Sequence, residues 1–179
     1  GHGVPLIVDN TFPTPVLCRP IEWGADIVTH STTKYMDGHG ASVGGVIVDA
    51  GKFDWNAHAD KFPGLTTPDE SYHGVVYAER FGLEGAYITK ATAQLMRDLG
   101  SIQSPQNAFL INLGLESLHL RMARHAANGR AVAEHLASHP KVAWVRHPSL
   151  AGDSEAALAA KYLPEGSCGV VSFGVAGGR

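Results

Sequence analysis

Short apolar runs closed by polar residues recur along the first fifty positions. Val4-Pro5-Leu6-Ile7-Val8 stops at Asp9, Ala25-Asp26-Ile27-Val28-Thr29 follows, and Gly45-Val46-Ile47-Val48 comes third. Runs this short and this rich in branched residues predict buried strands of an α/β sheet. Between the first two, residues 12–19 hold Pro13 and Pro15 and read as a loop. Pro20-Ile21-Glu22-Trp23 predicts one helical turn, with proline first and Gly24 ending it. Residues 30–42 are polar and glycine-bearing, hence a loop. Residues 49–82 lose all period. Prolines, glycines and scattered aromatics predict a long, irregular, partly ordered surface segment there.

The second half changes rhythm. Ile88, Ala91, Leu95 and Leu99 fall at helical spacing within 86–99, and Gly100 ends the run. Ser104-Pro105 predicts a helix start, serine as N-cap and proline at the first helical position. Leu110, Leu113, Leu118 and Met122 then mark one apolar face, and the pattern continues to Ser138 with a break expected at Gly129. Strand, helix and strand succeed one another over 141–145, 153–162 and 168–175. The change of rhythm predicts two units, residues 1–104 and 105–179.

Composition narrows the classes. A chain of 179 residues, 44% hydrophobic and 17% charged, is globular rather than disordered. Lys plus Arg is 14 against 17 Asp plus Glu, so nucleic acid and anionic membranes have little electrostatic attraction to it. No apolar run approaches the roughly 20 residues of a membrane-spanning helix. Cys18 and Cys168 are the two cysteines. They form neither a CxxC pair nor a zinc pattern, so we expect reduced thiols and a cytoplasmic protein. The ten histidines suggest a metal. His135 and His139 are four apart, but no glutamate lies between them and Pro140 comes next, so we expect none.

Candidate chemistry gathers in His30-Ser31-Thr32-Thr33-Lys34-Tyr35-Met36-Asp37-Gly38-His39-Gly40. A solvated surface lysine is the ordinary reading of a loop lysine. Here two hydroxyls precede it and glycines come after. Ser31 and Thr33 could donate to a phosphate, and glycines let backbone approach it. Lys34 could form a Schiff base. Asp9 ends a strand, where α/β folds place ligand contacts, and a carboxylate there could keep a pyridinium protonated. Together these are the protein groups a pyridoxal phosphate site needs. The run Gly38-His39-Gly40-Ala41-Ser42-Val43-Gly44 has the wrong spacing for a dinucleotide fingerprint and precedes a strand. Asp37 is expected to serve a turn, and Tyr35 and His125 to pack.

Val8-Asp9-Asn10-Thr11-Phe12, Arg19-Pro20, Gly24-Ala25-Asp26, and His30-Ser31-x-Thr33-Lys34-Tyr35-x-x-Gly38-His39 together resemble the Cys/Met-metabolism family of pyridoxal-phosphate enzymes. The likeness runs on through Ser104-Pro105, Leu120-Arg121-Met122-x-x-His125 and Phe173-Gly174. It implies an aminotransferase-like fold of type I, only partly present: a mostly parallel sheet with flanking helices, then the start of an α+β C-terminal domain. It implies Lys34 as the cofactor-bearing lysine and proton carrier, Asp9 at the pyridine nitrogen, and Ser31 and Thr33 at the phosphate.

The long connection after the lysine, Lys52-Phe53-Asp54-Trp55 to Tyr72-His73-Gly74, is similar to the O-acetylhomoserine sulfhydrylase branch. The resemblance then implies γ-replacement of acetate by sulfide to give homocysteine, in a homo-oligomer built from dimers. A C–S lyase is the alternative within the family. A catalytically dead fragment serving as an interaction module is the alternative outside it. Family members are longer, so the chain is expected to be an internal fragment, inactive alone, with exposed strand edges. The groups that stack on the cofactor and bind the substrate carboxylate would lie beyond it.

Overall fold

A computed structural model describes residues 2–178. Strand β1, Ile7–Asp9, pairs in parallel with β2, Ile27–Ser31, placing Ile7 opposite Ile27 and Asp9 opposite Thr29. Strand β3, Gly45–Asp49, runs antiparallel to β2. The chain is α/β as expected, but these strands form a mixed sheet, parallel only at β1–β2. The link from β2 to β3 contains no helix to carry a crossover, so the chain returns antiparallel. Expected burial holds for β2, where Ile27 and Val28 are covered. It fails for β1 and β3: Ile7 is 53% exposed, and Val46, Ile47 and Val48 are exposed too. Each of these edge strands has a neighbour on one side alone.

The expected loop at 12–19 contains a short helix, α1, Thr14–Leu17. Its prolines sit at the helix start, where a missing N–H removes no helical bond. Thr14 lies between them with φ 57° and is fully buried. Such a backbone is strained for a branched residue and persists only where surroundings enforce it. The helical turn at Pro20–Trp23 forms as expected, capped by Gly24 in the left-handed region.

Residues 49–82 correct the expectation of a surface segment. They contain short turns and helix α2, Pro63–Thr66. Trp55, Leu65 and Tyr77 are buried with Ile27, Ala78 and Ala86, and Phe53, Phe62, Tyr72, Phe81 and Tyr87 pack around them. Trp55 and Tyr87 stack at 5.9 Å. The aromatics therefore build a core against the covered strand. Lys90 pins the segment through a 2.7 Å ion pair to Asp69. With help from Ser71, this bond holds the Asp69 carboxyl at a pKa of about 2.

Helix α3, Tyr77–Thr89, bends at Gly82, where φ is 63°. It runs into a π-helical turn at Lys90–Met96 and then α4, Arg97–Leu99, which ends at Gly100 as expected. The stripe Ile88, Ala91, Leu95 and Leu99 lines an open groove of about 1110 Å³ together with Ile7 and Val46. Helix α5, Pro105–Glu116, starts as predicted: the Ser104 hydroxyl accepts the Asn107 N–H at 3.1 Å. Its buried positions are Ile111 and Gly114, while Leu113 is exposed. The break falls at Ser117, not Gly129, and α6 spans Leu118–Ala137.

Leu17, Met36, Ile111, Leu118, Met122 and Ala126 form a second core joining the two halves. Strands β4, Val142–Arg146, and β5, Ser172–Val175, pair antiparallel, with α7, Ala156–Tyr162, between them. Among the described residues no helix is long and apolar enough to cross a membrane.

Gly129 lies inside α6 where the segment before β5 crosses closely over it. A Cβ there would lie 2.9 Å from the Cys168 carbonyl and 3.0 Å from Gly169 Cα. Gly129→Ala should therefore cost about 1–3 kcal/mol of stability by forcing backbones apart. Gly152→Ala, where a Cβ meets nothing within 4 Å, should change it little. Urea denaturation of both variants in the full-length protein checks this, and equal midpoints would refute it.

Candidate active site

Because β1 and β2 run in parallel, their carboxyl ends share one edge of the sheet. Asp9 closes β1 there, and Ser31 to Lys34 leave β2 there. In open α/β sheets this edge is where ligands bind. Asp9 Oδ1 accepts the Thr11 hydroxyl at 2.5 Å and the Thr11 N–H at 3.0 Å. These bonds, the hydroxyl foremost, pull the Asp9 pKa down and keep it ionised. The Thr11 oxygen in turn accepts the Ser31 N–H at 2.8 Å. One threonine thus ties the carboxylate to the strand that carries the lysine. Buried Asn10 adds its N–H to the Thr29 carbonyl at 2.9 Å and its amide to the Cys18 carbonyl at 2.8 Å. Beside Asp9, His30 is buried, and burial lowers its pKa towards the neutral ring.

After β2 the chain folds into a compact turn. The Asp37 N–H donates to the Thr32 carbonyl and the Gly38 N–H to the Lys34 carbonyl, each at 2.9 Å. Lys34 lies on this turn with its side chain exposed and in no ion pair among the described residues. Thr33 is less free. Its hydroxyl donates to the Gly44 carbonyl at 3.3 Å and accepts the Gly44 N–H at 3.1 Å.

Asp37 organises the stretch from His39 to Ser42. It is 1% exposed and gathers the N–H groups of Ala41 (2.9 Å) and His39 (3.1 Å) and the Ser42 hydroxyl (3.1 Å). These bonds, that of Ala41 first, hold its pKa down. Gly38 and Gly40, both at positive φ, let the backbone curl over it. The turn role expected for Asp37 is what the structure shows. Tyr35 packs edge-on against Phe12 and lies against the His125 ring, as expected of packing residues.

The structure therefore brings Asp9, Ser31, Thr33 and Lys34 to one edge. Their chemistry suits pyridoxal phosphate: a primary amine for an aldehyde, an ionised carboxylate for a protonated ring nitrogen, and hydroxyls for a phosphate. Thr33 must exchange its Gly44 bonds to take part. Sequence reasoning gave no role to Thr11, although Asp-x-Thr is a spacing that forms a side-chain-to-backbone turn. It also gave none to Arg121, whose contacts with this turn come from 86 positions away.

An amine, an ionised carboxylate and hydroxyls at one edge of an α/β sheet fit the class of enzymes that carry an aldehyde cofactor. Within it, the chain belongs to the Cys/Met metabolism PLP-dependent enzyme family, whose model matches residues 1–179. It is 49% identical over 175 residues to the homocysteine/cysteine synthase of Kluyveromyces lactis, covering 97% of this chain and 39% of that protein. It is 48% identical to the O-acetyl-L-homoserine sulfhydrylase of Leptospira meyeri, covering 98% and 41%. A crystal structure from Campylobacter jejuni, described as a putative O-acetylhomoserine (thiol)-lyase, superposes with a TM-score of 0.88 at 34% identity, covering 97% of this chain and 42% of that one. That crystal holds N'-pyridoxyl-lysine-5'-monophosphate. The chain spans about 40% of the length of these relatives.

The buried Asp37 carboxylate sets a pH test. Its folded pKa lies below the unfolded value of about 3.9, so its contribution to stability is complete above that pH and is lost as pH falls through the folded value. Asp37→Asn should lower stability near pH 7 by about 1–3 kcal/mol, with the deficit shrinking below about pH 4. Urea midpoints across pH measure this. A deficit independent of pH would disprove it.

Proposed function

We propose that this chain supplies the cofactor-bearing half of an enzyme that replaces the acetate of O-acetyl-L-homoserine with sulfide, giving homocysteine and acetate. The supporting observation is the convergence of Asp9 and Lys34 at the ends of β1 and β2. The relatives, named for homocysteine synthesis and O-acetylhomoserine sulfhydrylation, point to the substrate.

When bound, pyridoxal phosphate supplies an electron sink for negative charge developing on the substrate carbons. Lys34 Nζ is the amine that would hold the cofactor aldehyde, and once free it would carry protons between substrate carbons. Asp9, ionised and held in place by Thr11, keeps the ring nitrogen protonated. The Ser31 hydroxyl donates to the phosphate, and Thr33 joins it after releasing Gly44. Residues 1–104 belong in this reading to the cofactor-binding domain, and 105–179 to a linking helix and the front of a second domain. Small amino-acid and sulfide substrates, a cytoplasmic setting and a homo-oligomer built from dimers complete the proposal.

The test uses the full-length protein with O-acetylhomoserine and sulfide. Homocysteine and acetate should form in equal amounts, and release of a 2-keto acid instead would favour a lyase and overturn the replacement reading. Lys34→Ala should abolish the visible absorption of the lysine-bound cofactor. Asp9→Asn should keep cofactor binding but slow turnover by roughly a hundredfold or more, since a neutral amide does not hold the ring nitrogen protonated.

A further inference from the structure

The turn that carries Lys34 is held from outside its own domain. The carbonyls of Tyr35 and Met36 face α6. Arg121 Nη1 donates to the Tyr35 carbonyl at 2.7 Å, and Nη2 reaches the Met36 carbonyl at 3.5 Å. Nη2 also donates to the Gly114 carbonyl at 2.7 Å, in the last turn of α5, and Nε donates to Ser117 Oγ at 3.0 Å. One guanidinium thus joins the lysine turn to the corner between α5 and α6. The backbone is shaped around it. A Cβ on Gly38 would lie 2.6 Å from Arg121 Cζ, and one on Gly114 would fall on the carbonyls of Met36 and Asp37. Tyr35 makes a second tie, its hydroxyl accepting the Gly169 N–H at 3.2 Å.

We propose that Arg121 is a positioning residue for Lys34: by fixing the carbonyls of Tyr35 and Met36 it sets the direction in which the lysine leaves the turn. The inference rests on the reading of Lys34 as the cofactor-bearing lysine. Arginine suits the task because its planar fork binds several carbonyls at fixed angles, whereas an ammonium is a point charge on a flexible stem. The Lys34 side chain itself is exposed, so its aim depends on the rigidity of the residues beside it.

The test compares Arg121→Gln and Arg121→Lys with the unmodified full-length protein by hydrogen exchange and cofactor absorption. The Asp37 and Gly38 amides report opening of the turn, since both donate within it. Amides of β4 and β5 report general loosening. Arg121→Gln should speed exchange at Asp37 and Gly38 roughly tenfold or more while β4 and β5 stay unchanged. It should also shift the pH dependence of the visible absorption, with Arg121→Lys falling between. Unchanged exchange at Asp37 and Gly38, or equal acceleration in β4 and β5, overturns the proposal. Should Arg121→Gln fail to fold, Arg121→Lys decides by the same measurement. Lys34→Ala separates this proposal from the reading beneath it. Visible absorption that survives Lys34→Ala sinks both, whereas absorption lost there with unchanged exchange in Arg121→Gln sinks the positioning role alone.

Discussion

Everything at this site depends on the parallel pairing of β1 with β2. Two strands whose carboxyl ends point the same way deliver their next residues to one edge, and no other pairing would place Asp9 beside the chain leaving Ser31. The pair is short and exposed on the β1 side, so its ladder alone would hold the edge loosely. Thr11 closes it. Its hydroxyl donates to Asp9 and accepts from Ser31, so the same group that keeps the carboxylate ionised also fixes its distance from the second strand. Electrostatics and geometry are set here by one side chain.

The aromatic segment after β3 serves the same pair from below. Ile27 of β2 is fully buried under Trp55, Tyr77 and their neighbours, which bury large apolar surfaces and lock the strand in position. On the other side, Met36 of the lysine turn sinks among Leu17, Ile111, Leu118 and Met122. The lysine turn is therefore anchored through Met36 in one core, while the strand before it is anchored through Ile27 in the other. Truncating a buried methionine such as Met122 costs about 2–5 kcal/mol in such cores, and Met122 packs in the same core as Met36 of the turn.

Local chemistry was legible in the sequence. Ser104-Pro105 announces a helix start, Gly24 and Gly100 announce stops, and the strand runs are found within a few residues. The candidate site residues stood out because their types and spacing carry chemistry, and the fold brings them to one edge of the sheet. What escaped was set by distant contacts. Leu110 and Leu113 promised the apolar face of α5, yet Ile111 and Gly114 took it, because only a glycine lets the Met36 and Asp37 carbonyls come so close. Gly129 looked like a helix break for want of the knowledge that Gly169 passes over it. Burial of β1 and β3 was read from composition, which cannot say whether a neighbour stands on the far side.

The lysine turn shows why such long-range contacts are needed. In its proposed role Lys34 must be free to move, so its side chain must not be packed. Rigidity has to come from the backbone, whose polar groups need partners wherever water is excluded. Inside the turn, Asp37 and Thr32 satisfy N–H groups and carbonyls that point inward. The outward carbonyls of Tyr35 and Met36 are met by a donor from another element. A long, permanently charged side chain from the second half of the chain meets that need, and in doing so makes the aim of the lysine depend on how α6 is packed. The two halves are thus mechanically joined at the residue next to Lys34.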